Sequence, residues 1–126
     1  MVVNLAVPAG GAGRETGSAV GTYTAGMART LLEQRLTDVS ERLVQLRREL
    51  SVADEQLAHF ADEADEARLR ALVSETPIAD REHREAQRHA DVMNRHRASL
   101  LAEIAELEQA QDDLLDRLIA DSGPAS

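Results

Sequence analysis

Four histidines are the side chains of this chain best suited to metal binding or to proton transfer near neutral pH. They are His59, His83, His89 and His96. Two histidines of one helix bind the same metal ion when they lie about four residues apart on one face. His89 and His96 lie seven residues apart, which is about 10 Å along a helix, and His59 belongs to a different helix. The spacing predicts no metal site, and we expect exposed surface histidines.

Patterns for covalent or phosphate chemistry are missing from the sequence. The chain has no Cys, which excludes disulfides and thiolate chemistry. The glycine-rich stretch from Gly10 to Gly13 precedes no strand or helix pattern that would make it a phosphate-binding loop. No nucleophile is paired with a base at a recognisable spacing. We therefore predict that the protein is not an enzyme and that it has no catalytic residue and no cofactor.

Charged side chains form two groups of opposite sign in the middle of the chain. The acidic group is Asp54, Glu55, Asp62, Glu63, Asp65 and Glu66. A basic stripe follows at seven-residue intervals, at Arg81, Arg88 and Arg95. These groups are either solvated faces that attract one another or an electrostatic docking surface that orients a protein partner. The net charge of −9 argues against binding to nucleic acid or to anionic membranes.

Apolar residues that repeat in heptads are the elements that would position all of these side chains. One heptad seam runs through Leu32, Leu36, Val39, Leu43, Leu46, Leu50, Ala53, Leu57, Phe60, Ala64, Ala67 and Ala71. A second runs through Ala79, His83, Ala86, Ala90, Met93, Arg97, Leu100, Ile104, Leu107, Gln111, Leu114 and Leu118. Such a, d repeats specify helices that pack along their length. The aromatic content of 2% is also typical of a coiled coil rather than of a globular core.

The two seams are separated at residues 74–77, where Thr76 suits a helix N-cap and Pro77 suits the first helical position. If the chain folds back there, residues that face each other have numbers that add to about 150. The sequence thus predicts an all-α fold, an antiparallel two-helix coiled-coil hairpin that self-associates. This register also places Glu49 beside Glu103, a like-charge pair that the pattern does not explain.

The segments outside the seams have few residues to bury. Residues 1–28 are rich in Gly, Ala, Ser and Thr, so we expect a disordered tail there, with Met27 as an alternative natural start. Thr30 and Glu33 have the spacing of a capping box at the beginning of the first helix. The predicted divisions are a tail at 1–28, a hairpin at 29–121 with its turn at 74–77, and a disordered end at 122–126.

Three seam positions are polar: His83, Arg97 and Gln111. Isolated polar residues in a seam commonly fix alignment and oligomeric state, and Arg97 opposite the small Ala53 can extend its head group to water. The alternative is that the three residues line a site between the helices.

Two groups of apolar residues lie off the seam. The group near the turn is Leu69, Leu72, Val73 and Ile78, which together with Glu75 forms either a contact patch for a partner or a cover for the turn. The group near the open end is Leu31, Leu101, Leu115 and Ile119, which predicts self-association into a four-helix bundle because a lone hairpin has little core.

The function that these features favour is that of a non-enzymatic scaffold or adaptor, which presents the hairpin tip and charged flanks to an unidentified protein partner. No apolar run is long enough to span a bilayer, and the first residues lack the pattern of a signal peptide. We therefore expect a cytoplasmic homo-oligomer that binds no nucleic acid.

The alternative is a regulator whose hairpin enters a channel of a large complex. In architecture alone, the predicted hairpin resembles the arm of Gre-type RNA polymerase factors, which carry paired acids at the tip and a C-terminal globular domain. Glu75 and Asp80 are the carboxylates at the apex here, and no globular domain follows in this sequence. The resemblance implies RNA polymerase as the partner in this alternative.

Overall fold

The computed structural model describes the backbone of residues 18–122 and the side chains of residues 25–121. This part of the chain forms two helices, α1 (Ser18–Ser74) and α2 (Pro77–Ser122), which contact each other along their length. No strand occurs among the described residues. The prediction of an all-α helical hairpin is therefore confirmed.

The beginning of α1 differs from the prediction. The helix begins at Ser18 rather than near residue 29, so residues 18–28 of the predicted tail are helical. Thr30 is not an N-cap: its Oγ1 donates a hydrogen bond to the carbonyl of Gly26 at 3.0 Å, one turn earlier. No proline interrupts residues 18–29, so the backbone can continue its hydrogen bonds through this segment. Residues 1–17 and 123–126 lie outside the described part.

The turn between the helices consists of Glu75 and Thr76. Glu75 has a φ of 55°, in the left-handed region, and its N–H donates to the carbonyl of Ala71 at 3.0 Å. Thr76 is the N-cap of α2, because its Oγ1 accepts a hydrogen bond from the N–H of Ala79 at 3.1 Å. Pro77 follows as the first helical residue. The N-cap has the geometry that the sequence predicts, whereas the left-handed Glu75 was not anticipated.

The seam residues form the interface between the helices, and each predicted a or d position is buried or half-buried. Leu43 and Leu46 are fully buried and form the core with Ala53, Leu100 and Ile104. Toward the turn the buried seam residues are alanines: Ala64, Ala67, Ala71, Ala79 and Ala90. Since an alanine removes less apolar area from water than a leucine, the stabilising burial is concentrated in the middle of the hairpin.

The contacts between helices follow the predicted antiparallel register. The paired residues have numbers that add to about 150: Arg42 with Glu103, Arg47 with Glu108, Asp54 with Arg97, Ser40 with Gln111, and Phe60 with His89. The unexplained neighbours Glu49 and Glu103 also have a physical reason. Arg42 lies between them, with Nη2 at 3.0 Å from Glu103 and Nη1 at 4.0 Å from Glu49, so that one cation offsets two carboxylates.

Candidate partner-binding surfaces

Four apolar side chains surround the turn, and we call them the tip patch. They are Leu69, Leu72, Val73 and Ile78, with exposed fractions of 55%, 63%, 83% and 69%. The last seam layer before the turn is formed instead by Ala71 and Ala79, which are both buried. The patch therefore leaves apolar area exposed beside a seam layer that alanines fill.

Glu75 lies within the tip patch in a conformation that costs free energy. A residue with a Cβ in the left-handed region is less stable than in the right-handed region by about 1–2 kcal/mol, and glycine is the usual residue just after a helix end for this reason. The Glu75 side chain is exposed, and no described residue donates a hydrogen bond to its carboxylate. The tip thus carries a carboxylate on a strained residue, beside four exposed apolar side chains.

The basic stripe of Arg81, Arg88 and Arg95 lies on the outer face of α2. All three residues are exposed, and none makes a hydrogen bond or an ion pair to another described residue. Their seven-residue spacing places the guanidinium groups about 10 Å apart along the helix. These cations are consequently available to an acidic surface.

The acidic group of α1 is only partly occupied by contacts within the chain. Asp54 forms an ion pair with Arg97, and Glu63 lies 3.2 Å from Nε2 of His59. Near the tip, Arg70 of α1 and Glu82 of α2 line one open groove but form no ion pair within 4.0 Å. An exposed ion pair contributes little to the free energy of folding. A charged residue one turn away on the same helix can therefore compete with a partner across the interface between the helices.

The histidines do not converge. His59 pairs with Glu63 of its own helix, and the rings of His89 and Phe60 pack in an edge-to-face arrangement with centroids 5.8 Å apart. His83 is half-buried in the seam, whereas His96 is exposed. Among residues 25–121, no three His, Asp or Glu side chains are arranged to hold a metal ion.

Two of the three polar seam residues, Arg97 and Gln111, bond to the flank of α1. Arg97 extends out of the seam and its Nε donates to Asp54, while Ala53 beneath it is 1% exposed. Gln111 donates from Nε2 to Oγ of Ser40 at 3.0 Å. Both bonds join residues that face each other only in this register, so they favour it over a shifted one.

The apolar residues near the open end lie on two different sides of the seam. Leu31, Leu101, Leu115 and Ile119 are all exposed, with fractions of 55%, 39%, 42% and 70%. Leu31, however, lines a groove with Ala28, Arg35, Arg117 and Ala120, and it lies on the other side of the seam from Leu101 and Leu115. Val44, which the heptad pattern does not single out, is 47% exposed and lies on the same side as Leu101. The feature of the sequence that indicates Val44 is a β-branched apolar residue at a helical position outside the seam.

Neither helix contains an apolar stretch long enough to cross a membrane, within the part of the chain that the structure describes. Comparison with protein-family models, with curated proteins and with solved structures finds no match to this chain.

Proposed function

We propose that this protein is a non-enzymatic scaffold or adaptor that binds a protein partner through the tip of its hairpin. The observation that carries the proposal is the tip patch, in which Leu72 and Val73 expose 63% and 83% of their surface beside the left-handed Glu75. Apolar side chains exposed together at one end of a long arm are typical of a contact surface.

The conformation of Glu75 supports the same interpretation. Strained residues persist where the surrounding structure holds them, and they cluster at binding sites and switch regions. A glycine at this position would form the turn without the strain, yet the chain has a residue with a carboxylate there. A partner that supplies a cation or an N–H donor to this carboxylate, next to an apolar surface, would use both features of the tip.

The charged flanks would orient the arm on the partner. The basic stripe of Arg81, Arg88 and Arg95 begins one turn beyond the end of the tip patch and is not neutralised by contacts within the described residues. Complementary charge raises association rates and fixes register more than it raises affinity. We therefore expect an acidic surface on the partner along this flank.

A second candidate is a regulator whose arm enters a channel of a large complex such as RNA polymerase. Its support is the shape of the hairpin and the position of Glu75 and Asp80, which are both exposed at the apex. From Leu32 to the turn the arm is about 60 Å long, so the tip reaches far from the open end. This candidate differs from the first in requiring the carboxylates rather than the apolar side chains.

The test compares proteins captured by three tagged forms of the full chain in extracts of the native cell. The tip variant carries Leu72→Asp and Val73→Asp, and the matched control carries Val52→Asp and Val92→Asp at positions in the middle of the arm that are 52% and 51% exposed. We expect a partner to be recovered with the wild type and the control and lost with the tip variant. Identical protein sets for all three forms would remove the tip from consideration.

Circular dichroism at 222 nm provides the folding control, because all four substituted residues are exposed and the helix content should be unchanged. The second candidate predicts that RNA polymerase subunits are among the captured proteins and that Glu75→Ala alone releases them.

A further inference from the structure

The two broad sides of the hairpin differ in charge and in the size of their side chains. An antiparallel pair of helices has one flank of the seam on each side. On one side Arg47 bonds to Glu108 at 2.8 Å, and on the other Arg42 bonds to Glu103 at 3.0 Å. We call these sides the Arg47 face and the Arg42 face.

The Arg47 face presents mostly small and apolar side chains at helical spacing. On α1 it carries Ser40, Val44, Arg47, Ser51, Asp54, Ala58 and Ala61. On α2 it carries Asp91, Asn94, Ala98, Leu101, Ala105, Glu108, Asp112, Leu115 and Ile119. Val44, Leu101, Leu115 and Ile119 expose between 39% and 70% of their surface. Together they form an apolar band along the half of the hairpin that lies away from the tip.

The charges of the Arg47 face are paired within the hairpin. Arg47 bonds to Glu108, and Asp54 bonds to Arg97, which reaches this flank from the seam. Two carboxylates of the α2 stripe have no cationic partner among the described residues: Asp112, and Asp91 near the tip, which accepts a hydrogen bond from Nε2 of Gln87 at 3.1 Å. Because a paired charge costs less to remove from water than an isolated one, this face can be covered by another apolar surface.

The Arg42 face differs in this respect. Toward the tip it has a groove lined by the carboxylates Glu63, Glu66, Glu82 and Glu85 with one arginine and one histidine. In the middle, Arg42 faces both Glu49 and Glu103. The excess of negative charge makes self-association through this side unfavourable.

We propose that a second copy of this chain covers the Arg47 face, related to the first by a twofold axis parallel to the helices. The assembly is an antiparallel four-helix bundle in which α2 of one copy lies over α1 of the other. Both tip patches are then at the same end of the bundle. The proposal concerns a surface that the tip hypothesis does not use, and either can fail without the other.

Charge complementarity selects this axis. With the axis parallel to the helices, residues whose numbers add to about 150 face each other between copies as they do within one copy. Arg47 then lies near Glu108 of the second copy, so four charges alternate in sign around the centre of the bundle. An axis perpendicular to the helices instead places α2 on α2, and it brings Glu108 and Asp112 of the two copies together, which like charges oppose.

The contact area needed for a stable dimer also favours a lengthwise arrangement. The apolar band from Leu101 to Ile119 is about 27 Å long, and two neighbouring helices are about 20 Å wide, which gives roughly 540 Å² per copy. Specific interfaces bury about 800 Å² per partner. Continuing the contact toward the tip as far as Ala58 and Ala61 lengthens it to about 45 Å and about 900 Å². Crossed hairpins could not reach this area.

A distance between spin labels tests the axis directly. The chain has no cysteine, so Ser74→Cys provides one labelling site per copy, at an exposed position beside the turn. With both tips at one end, we expect the labels to be separated by roughly 20–30 Å, two or three helix diameters. A perpendicular axis through the apolar band separates them by about 100 Å. A distance of about 100 Å between the labels of the two copies overturns the proposal. So does the absence of any intermolecular distance in the protein that carries Ser74→Cys as its only substitution.

Sedimentation velocity between about 1 and 100 µM tests the face. Leu101→Asp places a charge in the centre of the contact and should raise the dimer Kd by at least about 100-fold. Val52→Asp is the matched control, since Val52 is 52% exposed and lines a groove of the Arg42 face with Glu49; its Kd should change by less than about threefold. A wild-type monomer at about 100 µM, or equal effects of the two substitutions, contradicts the proposal.

A charge exchange tests the alternating charges at the centre of the bundle. Arg47→Glu alone should weaken the dimer, and the double variant Arg47→Glu with Glu108→Arg should restore it, because both intramolecular and intermolecular pairs are rebuilt. Circular dichroism checks that each variant keeps its helices. Failure of the double variant to recover the wild-type Kd would count against alternating charges at the centre.

Discussion

Replacing Glu75 by glycine should stabilise the hairpin, although it removes a side chain and adds no contact. Glu75 has a φ of 55°, where a residue with a Cβ is destabilised by about 1–2 kcal/mol. Glycine adopts this conformation without that cost. The N–H of residue 75 keeps its hydrogen bond to the carbonyl of Ala71, which does not involve the side chain.

The expected gain is smaller than the strain itself. Glycine is more mobile than other residues in the unfolded chain, and ordering it costs about 0.5–1 kcal/mol more. The difference leaves a net stabilisation of about 0.5–1 kcal/mol. For a hairpin of this length such a change raises Tm by about 2–8 °C.

Urea denaturation followed by circular dichroism at 222 nm measures the change in wild type, Glu75→Gly and Glu75→Ala. All three proteins are compared at one fixed concentration, because the unfolding midpoint of an oligomer depends on protein concentration. Glu75→Ala keeps the Cβ and should change the free energy of unfolding by less than about 0.5 kcal/mol. If glycine destabilised the protein, or if alanine stabilised it equally, the strain assigned to the turn would be wrong. If Glu75 serves the partner, the more stable glycine variant should also bind that partner less well.

Other substitutions should report on the remaining contacts. Thr76→Ala removes the N-cap of α2 and should cost about 1 kcal/mol in urea denaturation. Leu46→Ala should cost about 2–5 kcal/mol because Leu46 is fully buried, whereas Leu31→Ala, at a 55% exposed site, should cost less than about 1 kcal/mol. Arg42→Ala should destabilise the protein by up to about 1 kcal/mol at low salt but not in 1 M NaCl, because Arg42 lies between two carboxylates. Arg48→Ala removes no such contact and should have no effect at either salt concentration.

Periodicity was sufficient to predict the hairpin and its register. Heptad spacing determines which residues can be buried together between two helices. In a hairpin of two helices no further element packs against these residues, so the sequence pattern is enough to indicate the interface. Thr76 and Pro77 marked the beginning of α2 for an equally local reason, since a cap acts within one turn.

The beginning of α1 and the pairing of exposed charges were not predictable in the same way. A capping-box pattern at Thr30 and Glu33 is only two residues, and it is compatible with a helix that continues through it. Glu63 contacts His59 of its own helix, and such a contact between exposed side chains depends on side-chain conformations that the sequence pattern does not encode. The role of Arg42 between two glutamates likewise required the positions of all three side chains.

The uneven filling of the seam has a mechanical consequence. Leucine and isoleucine layers hold the middle of the arm together, while the buried seam residues nearest the turn are alanines. Local opening is easiest where the least apolar area is buried, so amide hydrogens near the turn should exchange sooner than those around Leu43. The arm should therefore be stiffer in its middle than at its turn, so that the turn end can bend while the helices stay packed around Leu43.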